Sequence, residues 1–265
     1  MVKSTLLLTC CLFLFAFRPG PEKSCGLQNR SFKSGESVTF YVFYTLAGIW
    51  VHAGNVNFTV TQTSYNNKPV YHVVGSGSSL SSYDWIFKVR DRYETYIDTG
   101  TLLPYKFVRH VEEGSYKKDE TVLFNHKAGT ATVSDGKTFK VPECVQDVLS
   151  EVYMARNLDF EKYKKGDLIP FDMFIDNEVH SLYIRYLGRE TVKTRYGRFR
   201  CFKFKPLLLK SNMFEGGEKM TVWVTDDNNR LPVRVDSDIS VGSVKVDMMM
   251  YRNLRYPLTS RLNIR

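Results

Sequence analysis

The sequence has no G-x-S-x-G, H-E-x-x-H, phosphate-binding P-loop or G-x-G-x-x-G. The common signatures of serine hydrolases, zinc peptidases and nucleotide or dinucleotide enzymes are therefore missing. Its five histidines (His52, His72, His110, His126, His180) stand singly, none within a helical turn of another. Cysteine is sparse too: five residues with no C-x-x-C spacing, which gives no structural zinc site and implies no cofactor. Proline is limited to 9 of 265 residues, and no Pro- or Ser-rich linker divides the chain. Long apolar runs are missing as well. The longest, Thr5 to Phe17, has 13 residues, short of the roughly 20 that a membrane helix needs.

What is present suits a folded, sheet-rich protein. Hydrophobic residues make up 43% and charged residues 25%, which excludes a largely disordered chain, and 18 Phe with 16 Tyr favour strands. The short apolar run follows Lys3 and is broken by Arg18-Pro19-Gly20-Pro21, so residues 1–24 read as a secretory signal and 25–265 as one domain. The expected location is the periplasm or the periplasmic face of the outer membrane. Cys25 would be the acceptor of a lipid anchor, but Glu22-Lys23-Ser24 before it lacks the apolar residue that such processing wants, which disfavours that anchor. With Cys10 and Cys11 in the signal, Cys25, Cys144 and Cys201 remain for an oxidising compartment. Cys201 lies within the strand-like RFRCFKF, the usual setting of a buried thiol. A Cys25–Cys144 disulfide is the preferred pairing.

Period-two alternation recurs along the chain, in Val38-Phe40-Val42-Tyr44, Val56-Phe58-Val60, Leu182-Ile184-Tyr186, Met220-Val222-Val224 and Val244-Val246-Met248. Each reads as a half-buried strand, with residues such as Lys245 and Asp247 facing out. Turn signals separate the strands: Asn66-Asn67, Thr99-Gly100, Glu113-Gly114, Asp135-Gly136, Tyr196-Gly197 and Asp226-Asp227-Asn228-Asn229. One stretch differs. Val145, Val148, Leu149, Val152 and Ala155 follow helical spacing behind Pro142-Glu143, which predicts one amphipathic helix near 144–158, after about six strands. The expected fold is mainly β: large curved antiparallel sheets, as a half-barrel or two halves, over one helix.

Charge is the remaining signal. There are 37 basic and 28 acidic residues, a formal +9, and loss of residues 1–24 would leave about +7. Eight basic residues fall between Arg185 and Lys205 against one acid, Glu190, with Tyr196, Phe199, Phe202 and Phe204 among them. For an exported chain this favours an anionic lipid or other envelope component over nucleic acid.

The blocks FKSGESVTFYVFY, AGNVNF, FKVRDRYETYIDTGTLLPYKF, CVQDVLSEVYMARNLDF, YGRFRCFKFKPLL and VWVTDDNNRLPVRVDSDISVGSVKV span roughly residues 32 to 250. In this order they resemble the domain of unknown function 3108, in particular members from the Bacteroidetes. The resemblance implies an exported, β-rich envelope protein of unestablished activity. A curved sheet over a helix also looks like the half-open barrel of lipoprotein carriers, whose concave face takes acyl chains. By that analogy Phe40, Tyr44, Trp50, Phe58 and Trp223 would hold an apolar or amphiphilic ligand, with Arg185, Arg195 and Arg198 at the rim for its headgroup. A non-enzymatic ligand-binding protein is therefore expected. The alternatives are an assembly partner for another envelope protein and, more weakly, a glycan hydrolase using Asp84, Asp91 or Glu94.

Overall fold

A computed structural model describes residues 26–46, 49–210, 216–239 and 242–262. The expected signal segment, residues 1–24, and Cys25 lie outside the described residues. Among the described residues, fifteen strands form one antiparallel sheet. The N-terminal eight are β1 (Ser37–Leu46), β2 (Ile49–Tyr65), β3 (Lys68–Ser79), β4 (Arg90–Asp98), β5 (Pro104–Glu113), β6 (Tyr116–Asn125), β7 (Thr130–Val133) and β8 (Thr138–Lys140). The helix α1 (Val148–Ala155) follows. Then come β9 (Leu168–Ile175), β10 (Glu178–Thr194), β11 (Gly197–Pro206), β12 (Met220–Thr225), β13 (Pro232–Asp238), β14 (Ser243–Arg252) and the short β15 (Arg261–Leu262).

The sheet is a meander running β8 to β1, then β14 to β9, with β15 added at β11. Pairing of β1 with β14 joins the two halves, so a continuous sheet replaces the alternative of two separate ones. Two-residue turns with left-handed backbone close β2–β3 at Asn66-Asn67 (φ 50° and 62°) and β9–β10 at Asp176-Asn177 (φ 52° and 66°). Asparagine and aspartate tolerate that region better than most residues, and it matches the twist of a tight hairpin. The Asn66 turn was expected; the Asp176 turn was not.

The sheet is not closed by strand pairing, yet its ends meet. Gln146, just before α1, bridges in parallel to Met173 of β9, accepting from Phe174 N at 2.9 Å and donating its own N–H to Asp172 O at 2.9 Å. Phe174 then packs with Phe124 and Phe139 of the opposite end. Arg109 and Lys118 of β5 and β6 reach Asp176 at 2.5 and 3.2 Å. The Gln146 bridge and these side chains thus complete a barrel-like outline that strand pairing leaves open.

Helix α1 lies within the curve. Leu149 and Tyr153 pack with Phe32, Val60, Val73, Ile97 and Leu102 on the β2–β4 side. The chain just after it places Leu158 and Phe160 among Ile169, Tyr186, Phe202, Phe204 and Val224 of β9–β12. Burying an aromatic or aliphatic side chain of this size contributes about 1.5–3 kcal/mol. The helix starts at Asp147 rather than behind Pro142-Glu143. Asp147 accepts from Leu149 N (2.8 Å) and Ser150 N (2.9 Å), Ser150 Oγ accepts from Asp147 N (2.8 Å), and Thr95 Oγ1 donates to Asp147 Oδ2 (2.6 Å). This reciprocal cap satisfies N–H groups that a helix start leaves orphaned. The expected stripe also turns: Leu149, Ser150, Glu151, Tyr153 and Met154 are buried, and Val152 is exposed.

A buried ion pair ties the helix end to the segment before β1 and to the β12–β13 turn. Arg156 holds Glu36 through two contacts of 2.6 and 3.0 Å and donates to Asn229 O at 3.0 and 3.2 Å. Ser31 Oγ donates to Arg156 O at 2.5 Å, and the guanidinium stacks over Phe32 and Tyr153.

Candidate functional site

Directly paired strand residues share a face, so the register separates two surfaces. Phe40 pairs with Val56 and Met248, and Val38 with Phe58, on one face. Tyr41 pairs with Asp247, and Phe43 with both Lys245 and His52, on the other. That second face was expected to be wet. Asp247 on it is instead buried and clasped by Arg234 at 2.6 and 2.7 Å. The β10–β11 hairpin reaches it, with Arg195 5.0 Å over the Phe43 ring and Tyr196 edge-on to Tyr41.

Two rows of side chains cross this face. In the first, Lys203, Trp223, Arg234, Asp247 and Tyr41 are successive register partners. Lys203 lies 5.2 Å over the Trp223 ring and 2.7 Å from Glu190, which also accepts from the Trp223 indole at 3.3 Å. In the second row, Thr221, Asp236, Lys245, Phe43 and His52 follow one another. Tyr41 and His52 stack between the rows at 4.0 Å.

Where the second row meets the end of the sheet, an open cleft of about 630 Å³ forms. Trp50, Lys205, Glu218, Lys219, Asp236 and Lys245 are among its walls. Lys245 sits 4.2 Å over the Trp50 ring. Asp236 Oδ1 is buried without a hydrogen-bond partner. Burial raises the Asp236 carboxyl above its ordinary value, against the pull of Lys245 and Arg234. On the flank, Glu218 accepts from Tyr183 Oη at 2.8 Å and from Arg185 Nε at 2.9 Å. The cleft thus offers an indole, three ammonium groups and one under-satisfied carboxylate.

The sheet itself divides the residues anticipated from sequence. Trp50 lines the cleft, Trp223 is nearly buried in the row beside it, and Arg185 reaches it through Glu218. Arg195 stays with Phe43, and Arg198 is exposed on β11 opposite Leu262. Phe40 and Phe58 meet edge-on at 5.9 Å on the opposite, concave face, and Tyr44 shares that face with Val246. Phe40 belongs to a core cluster with Val38, Leu231, Val233 and Met248 that Trp223 also joins, and Phe58 packs against both this cluster and the one that holds Leu149 and Tyr153 of the helix. Nor does the basic run form one patch: Arg185, Arg189 and Lys203 are neutralised by Glu218, Glu161 with Asp226, and Glu190. Lys245 was missed as a site residue because alternation placed it on a face read as solvent, and Lys219 and Asp236 carried no signal that singled them out.

The carboxylates considered for hydrolysis each have structural partners. Asp84 binds Arg90, Asp91 accepts from Glu112 N, and Glu94 binds His72 and Arg92. A neighbour that the sequence did not single out, Glu113, has its carboxyl pushed up to about 7 by burial and then by Asp91. Among the described residues no group of three or more His, Cys, Asp and Glu could hold a metal, and no helix is long and apolar enough to cross a membrane. Cys201 is a buried free thiol, and Cys144 is disulfide-bonded. The pairing proposed for it involves Cys25, outside the described residues.

The sequence profile of a family described as a protein of unknown function, DUF3108, matches residues 16–249. The chain belongs to the DUF3108 family. Among curated proteins none matches it by sequence. Among solved structures it is similar to a β-barrel-like protein of the domain of unknown function DUF1849 from Brucella abortus. The TM-score is 0.56 and the identity 9%, over 85% of this chain and 100% of that one. That likeness is one of fold. A Bacteroides fragilis protein with a YmcC-like fold also aligns, at a TM-score of 0.33 and 12% identity over 86% of this chain and 100% of that one.

Proposed function

We propose that this DUF3108 member is an exported, non-catalytic protein of the cell envelope that binds an amphiphilic ligand in the cleft over β12–β14. The supporting observation is the grouping of Trp50, Lys245 and the buried, unpartnered Asp236 Oδ1 at one opening. An apolar portion would lie on the Trp50 ring. An anionic group would meet Lys205, Lys219 and Lys245, and a hydroxyl or amine of the same ligand would satisfy Asp236. A buried acceptor without a donor costs about 1–3 kcal/mol, which such a ligand would recover. The ligand is thus placed on the outer face, not the concave one. The export expectation is supported by the short apolar run behind Lys3.

Strand addition by an envelope partner has less in its favour. Edge strand β8 has three residues, and the other edge, β9, is crossed by Gln146. Neither offers a long unpaired template.

The test is native mass spectrometry of protein purified from its own envelope, beside its Trp50→Ala and Lys245→Glu variants. A lipid-sized adduct on the parent that both variants lose is the expected result. A bare parent, under conditions that keep lipid on a known carrier, would overturn the reading.

A further inference from the structure

A second feature stands apart from the cleft. The connection from β3 to β4 carries Trp85, Ile86 and Phe87 in succession, and these are 82%, 62% and 46% exposed. Exposure here does not come from a loose loop. Ser79 Oγ donates to Asp84 Oδ1 at 2.5 Å and accepts from Val89 N at 2.9 Å, while Arg90 clamps Asp84 Oδ2 at 2.6 Å. Ile86 N and Phe87 N donate to Tyr83 O at 2.9 and 3.2 Å. The indole N–H of Trp85 is already used, donating to Ser82 O at 3.0 Å. Phe87 braces against Gly114 of the next hairpin, where an added Cβ would come within 2.8 Å of its ring. The turn therefore holds three large apolar side chains in water, with the polar atom of Trp85 satisfied internally.

The same end of the sheet carries further apolar surface. Strand order places the β1–β2 tip, the β3–β4 turn and the β5–β6 tip side by side. They present Ile49 (69% exposed), the three residues above, and Tyr116 (38% exposed). Lys88 and Lys117 stand at the base of this ridge with Glu112, and Arg90 with Asp84. Lys88 and Lys117 share the single carboxylate of Glu112, at 3.1 and 3.4 Å, so this cluster keeps one positive charge in excess. A projecting ridge suits a deformable apolar medium better than a preformed protein pocket, and its basic base suits an anionic surface.

We propose that the Trp85-Ile86-Phe87 turn is a membrane-docking wedge that inserts into the interfacial layer of an anionic phospholipid bilayer, with Lys88 and Lys117 reaching the headgroups. Trp and Phe favour that layer, and lysines extend their stems along apolar surface while the ammonium stays wet. Docking would be peripheral and reversible, since three side chains bury far less than an acyl anchor does. This wedge is separate from the cleft, so either can fail without the other.

Co-sedimentation with vesicles of mixed phosphatidylcholine and phosphatidylglycerol tests it, using the protein as recovered from the cells that make it. Trp85→Ser/Ile86→Ser should weaken partitioning roughly 30-fold or more, and Lys88→Ala/Lys117→Ala several-fold with less salt dependence. Because all the proteins share the same N-terminal segment, its contribution cancels. In a Trp50→Phe/Trp223→Phe background, Trp85 is the sole tryptophan, and brominated lipid should quench it. Unquenched Trp85, or equal partitioning of the serine variant, would overturn the wedge. Concentration-dependent dimers abolished by the serine pair, without vesicle binding, would instead make the ridge a contact between copies of this chain.

Discussion

Glu36→Ala is the sharpest test of how the helix end is held against the segment before β1 and the β12–β13 turn. Glu36 and Arg156 side chains are 1% and 4% exposed, and the pair is bidentate. Removing the carboxylate leaves the guanidinium buried with no counter-charge, held by the carbonyls of Asn229 and Ser31 and the rings of Phe32 and Tyr153. Breaking a buried pair from one side costs about 3–5 kcal/mol, because the remaining charge is uncompensated. For a domain of this size that is a fall in Tm on the order of 10 °C. Glu36→Met/Arg156→Met removes both charges while keeping volume, and should recover much of the loss. Some cost remains, since the Asn229 carbonyl loses its donor, about 1–3 kcal/mol. Urea unfolding followed by tryptophan fluorescence on the two single variants and the double gives the coupling energy directly. A Glu36→Ala cost below about 1 kcal/mol, or single-variant losses that simply add, would refute the claim that this pair acts as a unit.

Two further predictions concern protonation and thiols. Glu113 and Asp147 have carboxyls raised to about 7 and about 6, both chiefly by burial, so the folded state holds protons that the unfolded chain has released. Their contribution is full below the ordinary carboxylate range and is lost as pH rises through about 6 to 7, so stability should climb from pH 8 towards pH 5. Glu113→Gln should flatten the upper part of that profile in thermal melts, and an unchanged slope would contradict the assignment. Burial also pushes the Cys201 thiol up to about 12. It should resist alkylation until the protein is denatured, while mass spectrometry of non-reduced peptides should show Cys25 joined to Cys144. Rapid labelling of Cys201 in the native protein would show that this part of the core opens.

The strands were legible where one face is apolar, as in Val38 to Tyr44, and so were the turns carrying Gly, Asn or Asp. The helix was legible too, but its orientation was not. Its expected stripe included Val152, which points outward, while Glu151, buried beside Asp147, points in. Helical spacing ranks residues by apolarity and cannot foresee that a capping network with Thr95 will fix the rotation. Alternation likewise distinguished two faces without showing that the β10–β11 hairpin covers one of them. Lys245 therefore looked like an ordinary solvent residue, although it lies over the Trp50 ring. Phe40 and Phe58 were chosen by type alone, and type does not separate a ligand-facing aromatic from one packed in the core.

The union of β1 with β14 has a consequence for biogenesis. The strand that begins the sheet gains its second neighbour only when nearly the whole sequence is available, and Asn253 and Arg255 then bond back to Gly35, Asn29 and Phe32. A topology dominated by such distant pairings folds slowly. A nascent chain cannot complete its barrel from the N-terminus onward, so it stays incompletely folded until its last long strand emerges. Under the export proposed above, that delay would keep the polypeptide in a form that a translocation channel can pass.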